Sequence, residues 1–156
     1  MDDNYYIEKA LNLALENVKS GKGGPFGAIV VKEGKIIATG TNSVTSENDP
    51  TAHAEVNAIR NACKNLNSYQ LDDCEIYSSC EPCPMCLGAI YWARPKKLVF
   101  AATKTDAALA GFDDSYIYDE IALKPIHRHL KTIEINSPNK TEPFELWMTS
   151  QKKIEY

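Results

Sequence analysis

Two short stretches decide how this chain must fold: Thr51-Ala52-His53-Ala54-Glu55 and Glu81-Pro82-Cys83-Pro84-Met85-Cys86. Cys83 and Cys86 stand three positions apart, so both thiols share one face at the start of a helix, with Pro84 suited to its first turn. His53 and Glu55 stand two apart and would diverge in mid-helix, but both reach the space beyond a helix that begins beside them. The fold must therefore bring two helix N-termini together.

The imidazole of His53 and the thiols of Cys83 and Cys86 form a donor set suited to Zn²⁺. Three protein ligands leave a fourth tetrahedral position for water, which is the arrangement of a catalytic rather than a structural zinc. The ion lowers the pKa of bound water towards about 7. Glu55 is then placed to move protons for that water, and we expect it not to bind the metal. The prediction is one Zn²⁺ per subunit.

Cys80 leaves an alternative open, because Cys80, Cys83 and Cys86 follow one another at three-residue intervals. If Cys80 also bound the metal, the site would be closed, and the protein would be a structural zinc module that binds a partner. We expect Cys80 instead to end a strand and point into packing. Five cysteines without a secretory signal favour metal ligation over disulfides, so the cytoplasm is the expected location.

Hydrophobic periodicity around these motifs predicts alternating helices and strands. The expected elements are helices over about 3–20, 52–66, 84–93 and 142–153, a hairpin around Glu33-Gly34, and strands at 75–78, 98–102 and 132–135. This order favours an α/β fold with a mixed sheet covered by helices. We expect one domain over residues 1–156 and no membrane span.

The charge balance argues against a polyphosphate partner. The chain has 17 Lys and Arg against 21 Asp and Glu, a formal net charge of −4. Nucleic-acid binders usually carry a basic stripe, and no Lys/Arg cluster stands out here. We therefore expect no nucleic-acid partner and no membrane partner.

Several segments together resemble a known family, because the pattern H-x-E…P-C-x-x-C is typical of zinc nucleobase deaminases. Gly23–Ala28, Asn48–Glu55 and Cys80–Ile90 resemble the cytidine deaminase superfamily. Thr105–Ser115 and the ending Lys152–Tyr156 are similar to the small bacterial guanine deaminases. The resemblance covers nearly the whole chain.

This resemblance implies a three-layer α/β/α sandwich with a central mixed sheet. It implies hydrolysis of the purine base guanine to xanthine and ammonia. It also implies a homodimer, in which a C-terminal segment of about 125–156 crosses to the partner and helps to close its active site. By position, His53, Cys83 and Cys86 match the zinc ligands and Glu55 matches the proton shuttle.

The resemblance further implies substrate contacts by Asn42, Phe26, Asp114 and Tyr156. Asn42 matches an amide that reads the purine, Phe26 a ring-packing residue, and Tyr156 a terminal tyrosine supplied across the dimer. Asp114 matches an acidic contact, which suits guanine because N1–H and the 2-amino group are donors. The backbone N–H of Ala54, at a helix start, can hold a developing oxyanion.

Simpler interpretations of these residues stay open. Asn42 can be a turn residue at a strand end, Phe26 a core residue, and Asp114 the cap of a following helix. The nearest rival function is a tRNA adenosine deaminase, against which the net charge argues. A guanosine, cytosine or triazine deaminase is a further alternative, because details of the pocket decide which ring is accepted.

Overall fold

The computed structural model describes residues 2–156, which separate into two compact units, 2–114 and 115–156. The first unit contains nine elements: α1 (Asp3–Lys19), β1 (Gly27–Lys32), β2 (Lys35–Thr41), α2 (Val44–Glu47), α3 (Ala54–Leu66), β3 (Cys74–Cys80), α4 (Pro84–Ala93), β4 (Lys97–Ala102) and α5 (Lys104–Leu109). The second unit contains α6 (Ser115–Ala122), a 3₁₀ turn (Pro125–His127) and α7 (Glu142–Thr149). Every strand of the first unit was predicted, whereas the short helices α2 and α5 were not.

The strands form one mixed sheet in the order β2-β1-β3-β4. β1 runs antiparallel to both β2 and β3, and β3 runs parallel to β4. Side chains alternate across the sheet: Val30 packs with α3 and α4, whereas Ile29 packs with Tyr6 of α1. The predicted three-layer α/β/α sandwich with a mixed sheet is therefore confirmed.

Helix α3 lies directly on the backbone of β2. Its buried face consists of the alanines at positions 54, 58 and 62, one helical turn apart. A Cβ at Gly40 would lie 2.2 Å from the carbonyl oxygen of Ala54 and 2.4 Å from the nitrogen of Ala58, so only glycine fits there. This close approach brings the start of α3 to the end of β2.

Three asparagines of α3 cover the open edge of β2. Their side-chain amides donate to every second carbonyl of the strand: Asn57 to Thr41 at 2.9 Å, Asn61 to Thr39 at 2.9 Å and Asn65 to Ile37 at 2.8 Å. Four residues of helix rise about 6 Å and two residues of strand about 6.6 Å, so the two spacings match. We call this set the asparagine ladder; it occupies three carbonyls of an edge that could otherwise pair with another chain.

The second unit departs from the sequence prediction. Thr132–Ile135 forms no strand, so that prediction was wrong, and residues 115–156 have no strand that could hydrogen-bond to it. The predicted helix over about 142–153 ends at Thr149, because Ser150 takes an extended conformation. None of residues 115–156 is buried, and large apolar side chains such as Ile133 and Ile135 are exposed.

No helix within residues 2–156 has both the length and the apolar character that crossing a bilayer requires.

Candidate metal centre

His53 stands at the N-cap of α3, in an extended conformation, as the sequence predicted. The preceding loop is held by Asp49, whose carboxylate accepts from the backbone N–H of Thr51 at 2.8 Å and from its hydroxyl at 2.7 Å. Arg60 of α3 pairs with the same carboxylate at 3.7 Å. The loop therefore presents the imidazole ahead of the helix, not along its side.

Cys83 and Cys86 occupy the first turn of α4. Cys83 is the N-cap residue, Pro84 opens the helix, and the Cys83 sulfur accepts from the backbone N–H of Cys86 at 3.5 Å. β3 ends just before this turn, so the turn lies at the end of the sheet where α3 begins. The two helix N-termini converge, as the spacing of the motifs requires.

The three side chains lie at ligand distance from one another. The Nδ1 atom of His53 is 3.5 Å from the Cys83 sulfur and 3.4 Å from the Cys86 sulfur. With typical zinc bond lengths, tetrahedral geometry separates a nitrogen and a sulfur ligand by about 3.5 Å. The donor set therefore fits Zn²⁺ in both chemistry and spacing, and it can hold a metal ion.

Cys80 is outside this group. Within residues 2–156, the side chains that can share one ion are His53, Cys83 and Cys86. The buried Cys80 ends β3, and its sulfur lies 3.6 Å from the carbonyl oxygen of Thr103. Burial raises the pKa of Cys80 to about 11, so this thiol is protonated and belongs to the packing, as expected.

The two ligand thiols shift each other's pKa values in opposite directions. Hydrogen bonds from Cys86 and then from His53 lower the pKa of Cys83 to about 4, against the effect of burial. The hydrogen bond with Cys83, together with burial, raises the pKa of Cys86. The Cys83 thiolate in turn raises the pKa of His53. Metal ligation requires both thiols as thiolates and a neutral imidazole, so a bound cation would displace the protons that these groups otherwise hold.

Glu55 lies in the first turn of α3 and is only 5% exposed. Its Oε1 atom accepts from the hydroxyl of Ser78 at 2.9 Å, and its carboxyl group also interacts with Cys86. Burial raises the pKa of Glu55 above its ordinary value. A carboxyl group held in this way beside a metal centre can take up and release protons.

Asn42 follows β2 and is held by its own side chain. The Oδ1 atom accepts from the backbone N–H groups of Gly24 and Val44, each at 3.3 Å. An Asn side chain has an acceptor oxygen and N–H donors with which to read a purine, but here the oxygen is already occupied. The Nδ2 group is therefore what Asn42 has to offer a ligand, and Asn42 is also the turn residue of the simpler interpretation.

Phe26 and Asp114 lie in the first unit with the metal centre. The ring of Phe26 meets Phe112 edge-on, with centroids 5.0 Å apart, and it also packs against the core. Burial is the main cause of the raised pKa of Asp114, and the charge of Cys83 contributes. The Asp114 carboxyl group therefore lies within electrostatic range of Cys83. Ala54 is fully buried at the first helical position of α3, where backbone N–H groups lack intrahelical acceptors.

Tyr156 ends the second unit and is 69% exposed. Its contribution to a site stays a prediction.

Two residues of this region escaped the sequence analysis. Ser78, which donates to Glu55, lies in a buried strand with no local signal that separates it from a core serine. Phe112 lies within the segment that carried the resemblance, and an aromatic residue beside Asp114 was the available clue. Both depend on tertiary contacts with residues distant in sequence, Glu55 and Phe26.

Comparison with known proteins agrees with this geometry. A family model described as the cytidine and deoxycytidylate deaminase zinc-binding region matches residues 1–102. Guanine deaminase of Bacillus subtilis (strain 168) is 56% identical over 156 residues, which is 100% of both chains. The X-ray structure of guanine deaminase from that species matches with a TM-score of 0.98, over 100% of this chain and 99% of that chain.

More distant relatives share part of the chain. A tRNA-specific adenosine deaminase of Aquifex aeolicus (strain VF5) is 45% identical over 102 residues, 65% of this chain and 67% of that protein. A crystal structure in complex with 2,6-diaminopurine is 36% identical, with a TM-score of 0.69 over 72% of this chain and 63% of that chain. With its family match and its ligand geometry, this chain belongs to the cytidine and deoxycytidylate deaminase family of zinc-binding proteins.

Proposed function

We propose that this protein hydrolyses guanine to xanthine and ammonia. The observation that carries the proposal is the three-ligand group of His53, Cys83 and Cys86 with the buried carboxyl group of Glu55 beside it. The protein that shares 56% identity with this chain over its whole length is a guanine deaminase. A structural zinc module would need a fourth protein ligand, and none joins the group within residues 2–156.

We assign Zn²⁺, one per subunit, to His53, Cys83 and Cys86. Zinc held by these three residues would supply a water of lowered pKa. Glu55 would accept one proton from the attacking water as its oxygen bonds to C2 of guanine, and would pass that proton to the ring nitrogen. Glu55 then carries the remaining proton from the new C2 hydroxyl to the 2-amino group, so that the C2–N bond breaks, C2=O forms and ammonia leaves. Water and guanine thus balance xanthine and ammonia.

The substrate contacts follow from the donors and acceptors available. Asp114 accepts from the N–H donors of the guanine edge, a pair that adenine lacks. Asn42 donates from Nδ2, since its Oδ1 atom is engaged by backbone N–H groups. Phe26 packs against the ring, and the N–H of Ala54 stabilises the developing negative charge.

We further propose a homodimer in which about 125–156 crosses to the partner, so that Tyr156 helps to close the partner's site. The second unit buries none of its own side chains, and Ile133 and Ile135 are 65% and 73% exposed. A segment of this kind needs another surface to cover it. Residues 1–156 would then form one functional domain per subunit. We place the protein in the cytoplasm, because its five cysteines are free.

The proposal is tested by the release of ammonia from a panel of substrates. Zinc-loaded protein is incubated separately with guanine, guanosine, adenine, cytosine and tRNA that carries an adenosine at the anticodon wobble position. Guanine should give stoichiometric ammonia and xanthine, at a rate at least about 100-fold above every other substrate. Preferential turnover of tRNA would instead favour the adenosine deaminase alternative. The 45% identity to a tRNA-specific adenosine deaminase is the reason to include tRNA in the panel.

A further inference from the structure

Asn17, near the end of α1, joins two segments that lie far apart in the sequence. Its side chain is buried, with the residue 5% exposed, and its Nδ2 group donates to two backbone carbonyls. One belongs to Gly24 in the glycine-rich loop and the other to Asn42 after β2, each at 2.9 Å. Both N–H bonds of one amide are therefore used to hold these two segments together.

The same two segments are also joined on their other side. Asn42 Oδ1 accepts from the N–H of Gly24 at 3.3 Å, and the N–H of Asn42 donates to the carbonyl of Phe26 at 3.2 Å. Asn17, Gly24 and Asn42 thus form a closed ring of hydrogen bonds. The direction of the Asn42 side chain is set inside that ring.

Gly23 shows how little room this arrangement leaves. A Cβ at position 23 would lie 2.0 Å from the carbonyl oxygen of Asn42 and 3.0 Å from Nδ2 of Asn17. The carbonyl of Asn42 is therefore held by Asn17 and fits closely against the backbone of Gly23. Any movement of this carbonyl also moves the side chain that offers its donors to the substrate.

We propose that Asn17 is a positioning residue for substrate binding, acting through Asn42. This inference rests on the proposed function, because it takes Asn42 to be a guanine contact. The side-chain amide of Asn17 donates to backbone carbonyls of Gly24 and Asn42 and not to the metal ligands. Its loss frees the carbonyls of Gly24 and Asn42, so the donors of Asn42 are no longer held in one place. Loss of the Asn17 amide should therefore weaken substrate binding and leave the proton transfers by Glu55 unchanged.

The test compares Asn17→Leu with a matched variant, Asn65→Leu. Asn65 also donates from a side-chain amide to a carbonyl of the same strand region, Ile37, at 2.8 Å, but it lies on the asparagine ladder away from Asn42. Asn17→Leu should raise KM for guanine about tenfold, with kcat within about twofold and zinc content unchanged. Asn65→Leu should leave KM unchanged.

A second substitution approaches the same carbonyl from the opposite side. Gly23→Ala removes no hydrogen-bond donor but displaces the carbonyl of Asn42, so it should also raise KM. In an Asn42→Ala background, Asn17→Leu should change KM by less than about twofold, because the residue through which it acts is gone. If Asn17→Leu does not fold, Asn17→Ala removes the same donors without added bulk and replaces it.

The outcomes separate the inference from the function on which it rests. Unchanged KM in a folded, active Asn17 variant would overturn the inference alone, as would a full effect in the Asn42→Ala background. An equal rise in KM for Asn65→Leu would show a general loss of stability instead of positioning. Wild-type protein that releases no ammonia from guanine would overturn the proposed function, and the inference with it.

Discussion

At the scale of single residues, the metal centre was predictable because its residues stand at short, characteristic spacings in the sequence. His53 and Glu55 flank the start of one helix, and Cys83 and Cys86 share the first turn of another. Such patterns need no knowledge of the tertiary fold. Ser78 could not be found in this way, because its contact with Glu55 joins positions 23 residues apart.

Asp114 offers the sharpest test of substrate recognition at this scale. Asp114→Ala removes an acceptor that we assign to the guanine edge, so turnover of guanine should fall about 100-fold. The fold and the zinc content should be retained, because Asp114 is not among the three ligands. Steady-state kinetics with guanine, together with zinc analysis, check this expectation. Activity equal to that of the wild type would remove Asp114 from the site.

At the scale of secondary structure, the first unit was predictable because its periodicity is strong. The predicted helix over about 84–93 matches α4, and the strand at 98–102 matches β4 to within one residue. Thr132–Ile135 has the composition of a strand, but a strand also needs a hydrogen-bonded neighbour, and sequence alone does not supply one. The short helices α2 and α5 are too brief for a periodic signal.

Each hydrogen bond of the asparagine ladder should contribute to the free energy of unfolding. Asn61→Asp keeps the shape of the side chain but removes the donor to Thr39. The zinc-loaded variant should lose about 1 kcal/mol of unfolding free energy, a Tm lower by about 3 °C. Asn12→Asp, on the exposed face of α1, is the control for the added charge and should leave Tm nearly unchanged. Equal Tm values for both variants would mean that the hydrogen bond from Asn61 to Thr39 contributes nothing to stability.

The pair of Glu120 and His129 in the second unit predicts a dependence on pH. Their side chains lie 2.6 Å apart; the hydrogen bond raises the pKa of His129 above 6.5 and lowers that of Glu120 below 4.5. The contribution of His129 to the stability of the folded state is complete below pH 6.5, and it is lost as the pH rises through the folded-state pKa of His129. The contribution of Glu120 to the same stability is complete above pH 4.5, and it is lost as the pH falls through the folded-state pKa of Glu120. The pair is therefore fully formed between about pH 4.5 and 6.5.

An NMR titration measures this pair directly. The imidazole of His129 should titrate above its ordinary pKa of 6.5 in the wild type, and Glu120→Gln should return it towards that value. An unshifted pKa in the wild type would contradict the contact. The exposed position of His129 makes the global stability of the protein a poor readout.

At the scale of the whole molecule, the charge of −4 and the distribution of exposed side chains bear on partners. From charge alone, the sequence predicted that the surface weakly repels a polyphosphate such as nucleic acid. It did not predict that residues 115–156 would bury none of their own side chains. Burial within a subunit depends on which surfaces meet, and local patterns carry no such information.

The proposed exchange of the C-terminal segment makes a truncation informative. Deletion of Ile154–Tyr156 should lower guanine turnover at least about tenfold if Tyr156 closes the partner's site. Zinc content should stay the same, since His53, Cys83 and Cys86 lie outside the deleted segment. Mixing the truncated protein with an inactive Glu55→Gln protein, which keeps its own Tyr156, should restore some activity through mixed dimers. Full activity of the truncated protein alone would contradict this arrangement.

The central claim is that Glu55 moves the protons of a hydrolysis at the centre formed by His53, Cys83 and Cys86. The most direct test measures ammonia release from guanine by Glu55→Gln and by wild-type protein, at equal measured zinc content. Because Gln keeps the shape of the side chain but cannot accept the proton, turnover should fall by at least about 1,000-fold, with zinc retained. Turnover within a few-fold of the wild type, at equal zinc, would contradict the account.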